Sequence, residues 1–465
     1  MNSDETDSQM PGAGNKRTGL TWRRKLTFSA MCLALFFVML EVVLTLAGIA
    51  PVVETEDPFV GFSSYIPLFE TARNNTGMLE TAPGKLAFFN HQTFSGRKRT
   101  DDFRIFSVGG STTYGRPYDD TTSFTGWLRE LLPHADPSRK WDVINAGGIS
   151  YASYRVAKVM QELTDYQPDL FIVYCGHNEF LEYRTYRDLR TTFPGLTAVG
   201  GMLSHTRTYA VMHSAWQADS ATPTRRPTWQ LPAEVVTLLD NSVGPQDYHR
   251  NETLKNQIKH HYDLNLQRMV TIARGAGARI LFVVPASNLK DSSPFKSDGG
   301  RSVTRNQLQQ IENLHRSADH LSSVGQTEKA LAEIENALAI DPQLAALHYR
   351  HGQLLYSMGR FERSRQAFDT AINEDICPLR ILPDMQDAVR RVGTELSVSC
   401  VDFALLVESE SENGIPGNDL FLDHVHPGIR TNRLLALAII DKLVDAEVVV
   451  LSKHWTPDTI DEVTR

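Results

Sequence analysis

The chain has 465 residues, of which 41% are apolar and 22% charged, and its net charge is −8. This length allows two or three domains around a substantial core, and the composition is that of an ordinary globular protein. The acidic balance and the lack of a basic stripe argue against a nucleic-acid partner. The four cysteines have no metal-ligand spacing, so we expect no metal site and no cofactor. Cys377 and Cys400 are interpreted as two buried thiols, although an oxidising compartment would allow them to pair.

The N-terminal region departs from this pattern. Residues 1–25 form a polar tail that ends in three basic residues, and residues 26–53 form an apolar run longer than the roughly 20 residues that span a bilayer. By the positive-inside rule the tail is cytoplasmic, and the rest of the chain lies on the extracytoplasmic side, periplasmic or extracellular. The run lacks a small-residue cleavage site, which favours an uncleaved transmembrane signal anchor over a signal peptide. Glu41 within the run either pairs with another helix or is neutral.

Two stretches of the chain carry weak structural signals. Residues 54–100 contain glycine, proline and short β-like pieces such as residues 85–89, and we interpret them as a juxtamembrane segment that packs on the main domain. Residues 195–250 are irregular and contain several threonines, prolines and tryptophans. They form either a lid over the site or, as the preferred interpretation, a solvated loop.

Residues 101–300 and 379–465 alternate between apolar strand patterns and helix patterns. This alternation predicts an α/β fold of three layers, α/β/α, in which a mostly parallel sheet lies between helices. The predicted strands are residues 103–108, 141–145, 170–174, 279–285 and 399–403, and the predicted helices are residues 123–132, 154–166, 254–275, 383–396 and 430–445.

Polar or glycine-rich turns follow three of these strands, at residues 109–111, 145–148 and 176–179. Gly109 and Gly110 permit a sharp bend, after which Ser111 opens a helix. Ligands of parallel sheets bind beyond the carboxyl ends of the strands, so we expect the three turns to meet at one edge.

Residues 301–378 form an insertion of a different kind, in which small and aromatic residues recur after 34 positions. The recurring pairs are Gly325 and Gly359, Ala330 and Ser364, Ile334 and Phe368, and Ala337 and Ala371. This period resembles that of tetratricopeptide repeats and implies a protein partner; the alternative is a plain helical hairpin insertion. Two units are fewer than a self-standing solenoid needs, so we expect them to lean on the main domain.

Asp423 and His426 are candidates for shared chemistry with Ser111. They lie three residues apart on a loop that ends in Pro-Gly, so both side chains can face the same way. A serine hydroxyl needs an imidazole base, and the imidazole needs a carboxylate to fix its tautomer. The Asn178 amide and a backbone N–H of the 147–150 turn can donate to a developing oxyanion.

Four sequence blocks, in this order, resemble the SGNH (GDSL-like) hydrolase family. They are Gly109-Gly110-Ser111-Thr112, the turn at residues 145–150, Gly176-His177-Asn178-Glu179, and Asp423 with Val425 and His426. The resemblance covers about residues 100–300 and 380–450. It implies ester hydrolysis through an acyl-enzyme, without a metal.

Carried over from the family, Ser111 is the nucleophile, His426 the general base and Asp423 the carboxylate that orients it. The oxyanion hole consists of the Ser111 N–H, the Asn178 amide and one turn N–H. The chain departs from the family in two places. Gly110 stands where the family usually has an acid, and the glycine of the second block aligns with Ser150 or, alternatively, Gly148, so the turn donor is one of these two.

Three neighbouring residues have competing interpretations. His424 is a rival base, but the three-residue spacing from Asp423 favours His426. His177 either faces the pocket or caps a strand. We expect Glu179 to anchor its loop by hydrogen bonds rather than to titrate in the reaction.

Together these features favour a membrane-anchored serine esterase that acts on an ester or acylated glycan. An O-acyltransferase or deacetylase acting on a cell-envelope glycan uses the same acyl-enzyme and is the alternative closest in chemistry. A scaffold that binds a partner through the repeats and carries a degenerate hydrolase domain is the alternative from another class. The intact serine, aspartate and histidine set argues against the scaffold.

Overall fold

The computed structural model describes residues 22–47, 49, 67–72, 77–181, 206–208, 211–212, 249–300 and 303–464. The chain divides into two compact units, one formed by Met1–Tyr65 with Arg190–Pro227 and the other by Ile66–Leu189 with Thr228–Arg465. Most of the irregular stretch 195–250, for which a lid or a solvated loop was considered, lies outside the described residues.

The first unit contains helix α1 (Trp22–Leu46), which is long and apolar enough to cross a membrane. Its most apolar stretch of 18 residues has a mean hydropathy of 2.3, and most of its large apolar side chains are exposed. The Glu41 carboxylate accepts hydrogen bonds from the backbone N–H groups of Arg207 at 3.0 Å and Thr208 at 2.8 Å. The acid within the apolar run is therefore paired with backbone donors.

The second unit begins with a small antiparallel sheet of strands β1 (Phe69–Thr71), β2 (Met78–Thr81) and β3 (Thr93–Ser95). The prediction of a β-like piece at residues 85–89 is wrong. Pro83–Lys85 forms a 3-10 turn there, since proline fixes φ and lacks the N–H that a strand ladder uses. Phe69 and Phe94 pack against Phe106 of the main sheet, with ring centroids 6.4 and 5.8 Å away. The described part of this segment therefore packs on the main domain.

The main sheet has five strands, β4 (Asp102–Gly109), β5 (Lys140–Gly147), β6 (Leu170–Tyr174), β7 (Arg279–Val283) and β8 (Ser399–Val401). All neighbouring pairs are parallel, and the spatial order is β5-β4-β6-β7-β8. Every residue of β4 except Phe103 is buried, as expected for a strand covered on both faces. In register, Gly109 lies opposite Gly147 and Tyr174, so the carboxyl ends of β4, β5 and β6 meet at one edge.

Helices surround this sheet in two groups. The helices of the second unit are α2 (Ser111–Tyr114), α3 (Phe124–Ala135), α4 (Ser153–Leu163), α5 (Glu252–Gly275), α6 (Arg305–Ser323), α7 (Thr327–Ile340), α8 (Ala345–Ser357), α9 (Phe361–Glu374), α10 (Pro383–Glu395), α11 (Phe403–Glu410), α12 (Ile429–Asp445) and α13 (Pro457–Val463). Helix α5 packs against α4 and α10, and α3 packs against α12. These groups form the helical layers of the predicted α/β/α fold, which is confirmed.

Helices α6 to α9 form two hairpins inserted between β7 and β8. Helix α6 packs on α7 and α8 on α9, around a core that includes Ala330, Ile334 and Ala337. Gly325 and Gly359, 34 residues apart, have φ of +77° and +71° and end the first helix of each hairpin. The predicted repeat is therefore present as two structural units.

The insertion leans on the α/β part, as two units should. Arg250 donates a hydrogen bond to the Glu374 side chain at 2.6 Å and another to the Gln343 carbonyl at 2.6 Å. Arg365 of α9 forms an ion pair with Glu408 of α11. The insertion is accordingly part of the second unit.

Cys377 and Cys400 are free thiols in the structure. Cys377 is fully buried, and Cys400 is half-buried in β8. Burial raises the pKa of Cys400 to about 11. The thiol is therefore protonated at neutral pH.

Candidate active site

Ser111 lies at the carboxyl end of the central strand. Strand β4 ends at Gly109, Gly110 precedes the short helix α2, and Ser111 is the first residue of that helix. The first N–H groups of a helix have no acceptor within it. Ser111 is 7% exposed, so its hydroxyl is largely shielded from bulk water.

Ser111, His426 and Asp423 form one hydrogen-bonded chain. The Ser111 Oγ lies 2.8 Å from His426 Nε2, and His426 Nδ1 lies 2.6 Å from Asp423 Oδ2. The serine and the histidine are 315 residues apart in sequence. The contact with Asp423 favours the proton on Nδ1, which leaves Nε2 able to accept the serine proton.

The surroundings of Asp423 favour its ionised form. Its Oδ1 accepts hydrogen bonds from the N–H groups of Val425 and His426, each at 2.8 Å. Partial burial opposes ionisation, but the hydrogen bond from His426 and the nearby imidazoles of His426 and His424 hold the pKa of Asp423 well below its usual range. An ionised carboxylate at this position orients the imidazole and stabilises an imidazolium.

Asp423 and His426 belong to a turn at residues 417–428, which we call the acid loop. Its backbone folds back on itself, because Leu422 N–H donates to the His426 carbonyl and Gly428 N–H donates to the Leu420 carbonyl, each at 2.9 Å. The acid loop thus presents both side chains from a hydrogen-bonded frame.

Asn178 lies beside residues 109–113, which we call the nucleophile turn after the candidate nucleophile Ser111. Its Nδ2 donates to the Tyr151 carbonyl at 3.2 Å, and a Cβ built on Gly110 would lie 2.6 Å from the same nitrogen. An amide nitrogen carries two hydrogens, so one N–H is available beyond the Tyr151 bond. The residue is therefore placed where a donor to a group on Ser111 could act.

The backbone distinguishes the two candidates for the turn donor. The Gly148 N–H donates to the Gly109 carbonyl at 2.9 Å and is therefore occupied. Ser150 has φ of +64°, a left-handed conformation that is uncommon for residues other than glycine. Within the part of the chain that the structure describes, its N–H has no acceptor. These observations favour Ser150 over Gly148.

The backbone at Gly110 lies close to the Asn178 side chain. A Cβ there would meet Asn178 Nδ2 at 2.6 Å and the Tyr151 carbonyl oxygen at 3.5 Å. Any side chain at Gly110 would therefore displace the amide.

Two further histidines flank His426. His177 is 4% exposed, and its Nδ1 accepts a hydrogen bond from the Ile381 N–H at 3.2 Å. Burial lowers the pKa of His177 to about 3 and that of His424 to about 4, so both are neutral at pH 7. The imidazole that accepts the hydrogen bond from the Ser111 hydroxyl is that of His426, whose ring centroid lies 6.2 Å from that of His424. Among the described residues, no group of three or more histidine, cysteine or acidic side chains is placed to hold a metal ion.

Asn145 and Glu179 hold the turns around the site. Glu179 accepts hydrogen bonds from the N–H and the Oγ of Ser153, both at 2.7 Å, and so anchors its loop as expected. Asn145 Nδ2 donates to the Thr113 carbonyl at 2.9 Å and to Asp120 Oδ1 at 2.7 Å. These bonds tie β5 to the nucleophile turn, a role that sequence reasoning missed. The available signal was the position of Asn145 near a strand end.

Comparison with known proteins first identifies the insertion. A tetratricopeptide repeat family model matches residues 322–375, which confirms the repeat interpretation. No curated protein matches the chain in sequence.

Solved structures of esterases and lipases are similar to the chain. An acetylxylan esterase from Geobacillus stearothermophilus is 11% identical, with a TM-score of 0.33, and the alignment covers 73% of this chain and 94% of that one. The acetyl xylan esterase AlAXEase is 11% identical, with a TM-score of 0.33 and coverage of 74% and 99%. A GDSL-like lipase from Bacteroides thetaiotaomicron is 8% identical, with a TM-score of 0.32 and coverage of 76% and 93%.

Proposed function

We propose that the chain is a serine esterase that cleaves carboxylic esters through an acyl-enzyme. The observation that carries the proposal is the 2.8 Å contact from Ser111 Oγ to His426 Nε2, continued to Asp423 at 2.6 Å. A nucleophile, a base and an orienting carboxylate within hydrogen-bond reach of one another support acyl transfer. They lie at the carboxyl edge of a parallel sheet, where substrates bind in such folds.

In the first step, Ser111 Oγ attacks the ester carbonyl carbon while His426 Nε2 takes the hydroxyl proton. The N–H groups of Ser111 and Ser150 and the Asn178 amide donate to the oxyanion that forms. Collapse of this intermediate breaks the bond to the alcohol oxygen, and the alcohol leaves with the proton from His426. Water then attacks the acyl group by the same route and releases the acid and free Ser111.

Labelling with a fluorophosphonate probe tests the proposal on the full chain in detergent. The wild type should be labelled, and Ser111→Ala should not. Ser107→Ala is the matched control, because Ser107 is a fully buried serine of strand β4, which precedes Ser111, and it lies outside the site. Equal labelling of the wild type and Ser111→Ala contradicts the proposal.

The acyl acceptor decides between hydrolysis and transfer. Water and a sugar hydroxyl of a cell-envelope glycan can resolve the same acyl-enzyme, and we favour water as the simpler acceptor. Product analysis with and without an added glycan acceptor distinguishes them, since transfer gives an acylated glycan in place of the free acid.

We infer that the repeats bind a protein partner, because the family match spans residues 322–375. A pull-down tests this inference with the full chain and a variant carrying substitutions on the exposed helix faces of the insertion. Partner capture that persists in Ser111→Ala separates binding from catalysis. Capture that depends on the insertion while the wild type is not labelled by the probe favours the scaffold alternative.

We further propose that α1 is an uncleaved anchor and that the α/β part lies outside the cytoplasm. Its apolar length and the basic residues 23–25 at its N-terminal end support this orientation. An N-terminal tag should stay with the membrane fraction after alkaline extraction, and external protease should digest the α/β part. Release of a soluble chain without its tag indicates a cleaved signal peptide instead.

A further inference from the structure

Residues 286–296, which follow β7, form a loop that we call the bridging loop. Its Asn288 is fully buried and contacts the acid loop in three ways. The backbone N–H donates to the His424 carbonyl at 3.0 Å, and Nδ2 donates to the Asp423 carbonyl at 3.1 Å and to Asn418 Oδ1 at 2.9 Å. Asn288 therefore holds two consecutive carbonyl groups of the acid loop.

The remaining polar groups of Asn288 are also bonded. Its Oδ1 accepts from the Asp291 N–H at 3.0 Å, and its carbonyl accepts from the guanidinium of Arg380. Arg380, itself 4% exposed, donates to the carbonyls of Ser292 at 2.8 Å and Ser293 at 3.0 Å as well. Leaving a buried polar group unpaired costs about 1–3 kcal/mol, so this network has one strongly preferred geometry.

Arg380 lies in the segment between α9 and α10, which also contacts the opposite side of the site. The next residue, Ile381, donates its N–H to His177 Nδ1 at 3.2 Å. His177 directly precedes Asn178 in sequence. One short segment therefore contacts the acid loop through Asn288 and the oxyanion side through His177.

The insertion holds the far end of the bridging loop. The Tyr349 hydroxyl of α8 donates to the Lys290 carbonyl at 2.8 Å. Asp375, which follows α9, accepts from the N–H groups of Phe295 at 2.6 Å and Lys296 at 3.1 Å. The bridging loop is thus fixed between the insertion and the acid loop.

We propose that Asn288 and Arg380 are positioning residues that set the place of Asp423 and His426 relative to Ser111. This inference rests on the proposed function. Asn288 acts through the acid loop, and Arg380 acts through Asn288 and the bridging loop, so neither residue acts on the reacting atoms. A catalytic group displaced by about 1 Å costs on the order of 10²-fold in rate. Loss of the Asn288 side chain should therefore lower kcat far more than it changes KM.

The first test is Asn288→Ala in the full chain in detergent, assayed with a short-chain ester. We expect kcat to fall roughly 10- to 100-fold, with KM within about threefold of the wild type. Ser364→Ala is the matched control, because this fully buried hydroxyl also donates to a carbonyl, that of Gly352 at 2.8 Å, but within the insertion. It should keep the wild-type kcat. Arg380→Lys, which retains the charge and a donor, should lie between the wild type and Arg380→Met.

A double-mutant cycle with Asp423→Asn distinguishes a positioning role of Asn288 from a general disturbance of the folded structure. If Asn288 acts through the Asp423–His426 pair, Asn288→Ala should cost little further rate once Asp423→Asn has disabled that pair. A full multiplicative loss in the double variant, or a wild-type kcat in Asn288→Ala, overturns the inference. If Asn288→Ala does not fold, the same double-mutant cycle with Asp423→Asn is measured with Arg380→Lys in its place.

Failure of this inference is distinct from failure of the proposed function. A wild-type chain that the fluorophosphonate does not label overturns both. A labelled wild type whose Asn288→Ala variant reacts at the same rate overturns the positioning role alone.

Discussion

The carboxyl edge of the sheet and the tetratricopeptide insertion bury different kinds of side chain. At the edge the buried groups are polar, and Ser111, Asn145, His177 and Asn288 are each at most 7% exposed. The core of the insertion consists of alanine, leucine and isoleucine side chains. Buried polar groups must be hydrogen-bonded to be tolerated, and their bonds fix orientation, whereas apolar burial stabilises in proportion to area.

Because of this difference, we expect the polar edge to govern the reaction rate and the apolar insertion core to govern the free energy of unfolding, although both belong to one compact unit. Substitutions at the edge should change the reaction rate with modest effects on the free energy of unfolding. Substitutions in the insertion core should do the reverse. The bridging loop connects the two regions, so it is where a structural change in the insertion could reach the candidate catalytic residues.

The largest effect is expected for His426→Ala. Without this imidazole the Ser111 hydroxyl loses its base, and the esterase rate should fall about 10⁴-fold or more. His424→Ala is the matched control, since it removes a neighbouring histidine that does not bond to Ser111, and it should stay within about threefold of the wild type. Hydrolysis of a chromogenic ester and the thermal unfolding midpoint are measured on the same samples. An equal loss in the two variants contradicts the assignment of His426 as the base.

Gly110→Ala should have the next largest effect. The added Cβ would lie 2.6 Å from Asn178 Nδ2, so the amide must move away from the nucleophile turn. Loss of one oxyanion donor typically lowers kcat by about 10²- to 10³-fold. Asn178→Ala should show the same loss, and the double variant little more. The control is Gly275→Ala, where an added Cβ has no neighbour within 4 Å. A wild-type kcat in Gly110→Ala argues against Asn178 as an oxyanion donor.

Ile334→Ala tests the prediction that the insertion core stabilises the folded chain. The side chain is fully buried in the insertion core, and its truncation should lower the free energy of unfolding by about 2–5 kcal/mol. Ile334→Val should lower it by about 0.5–1.5 kcal/mol. Urea unfolding followed by circular dichroism measures both. In the folded Ile334→Val protein kcat should be unchanged, and a loss there would show that insertion packing and catalysis are coupled beyond the bridging loop.

The main sheet and the order of the site residues could be predicted from sequence. The buried strand β6 is a continuous apolar run, β4 is mostly apolar from Ile105 to Val108, and glycine or asparagine turns mark the carboxyl ends of both strands. The small antiparallel sheet could not be predicted, because its strands have three or four residues, too few to display an alternating pattern. The apolar residues at 85–89 gave a false signal for the same reason.

Backbone contacts account for what sequence reasoning missed in the site. The preference for Ser150 over Gly148 depends on which N–H is already bonded, and residue type does not report this. Asn288 and Arg380 bind carbonyl groups, which every residue has, so no motif marks them. Their one sequence signal was that Asn288 follows β7 at the edge where ligands bind.

The smallest of the four predicted effects is that of His177. This residue lies at the carboxyl edge of the sheet but should change the free energy of unfolding, so it is an exception to the separation of chemistry from stability. Burial and the nearby His424 and His426 lower the pKa of His177 to about 3, against about 6.5 in an unfolded chain. Between these values the unfolded chain binds a proton that the folded chain does not. Stability is therefore full above about pH 6.5 and is lost as the pH falls toward 3. At about 1.4 kcal/mol per pH unit, roughly 2 kcal/mol should be lost by pH 5.

Urea unfolding of the wild type and His177→Asn between about pH 7 and pH 5 measures this loss. The asparagine Oδ1 can accept the Ile381 N–H in place of Nδ1, so the variant should fold while lacking the titrating group. The free energy of unfolding of this variant should fall less steeply than that of the wild type as the pH is lowered. The difference between the two slopes corresponds to the uptake of at most one proton. His424, whose burial lowers its pKa to about 4, should leave a residual slope in the variant. If the variant and the wild type have equal slopes, His177 takes up its proton in the folded chain as well. The carboxyl edge of the sheet then tolerates a buried charge.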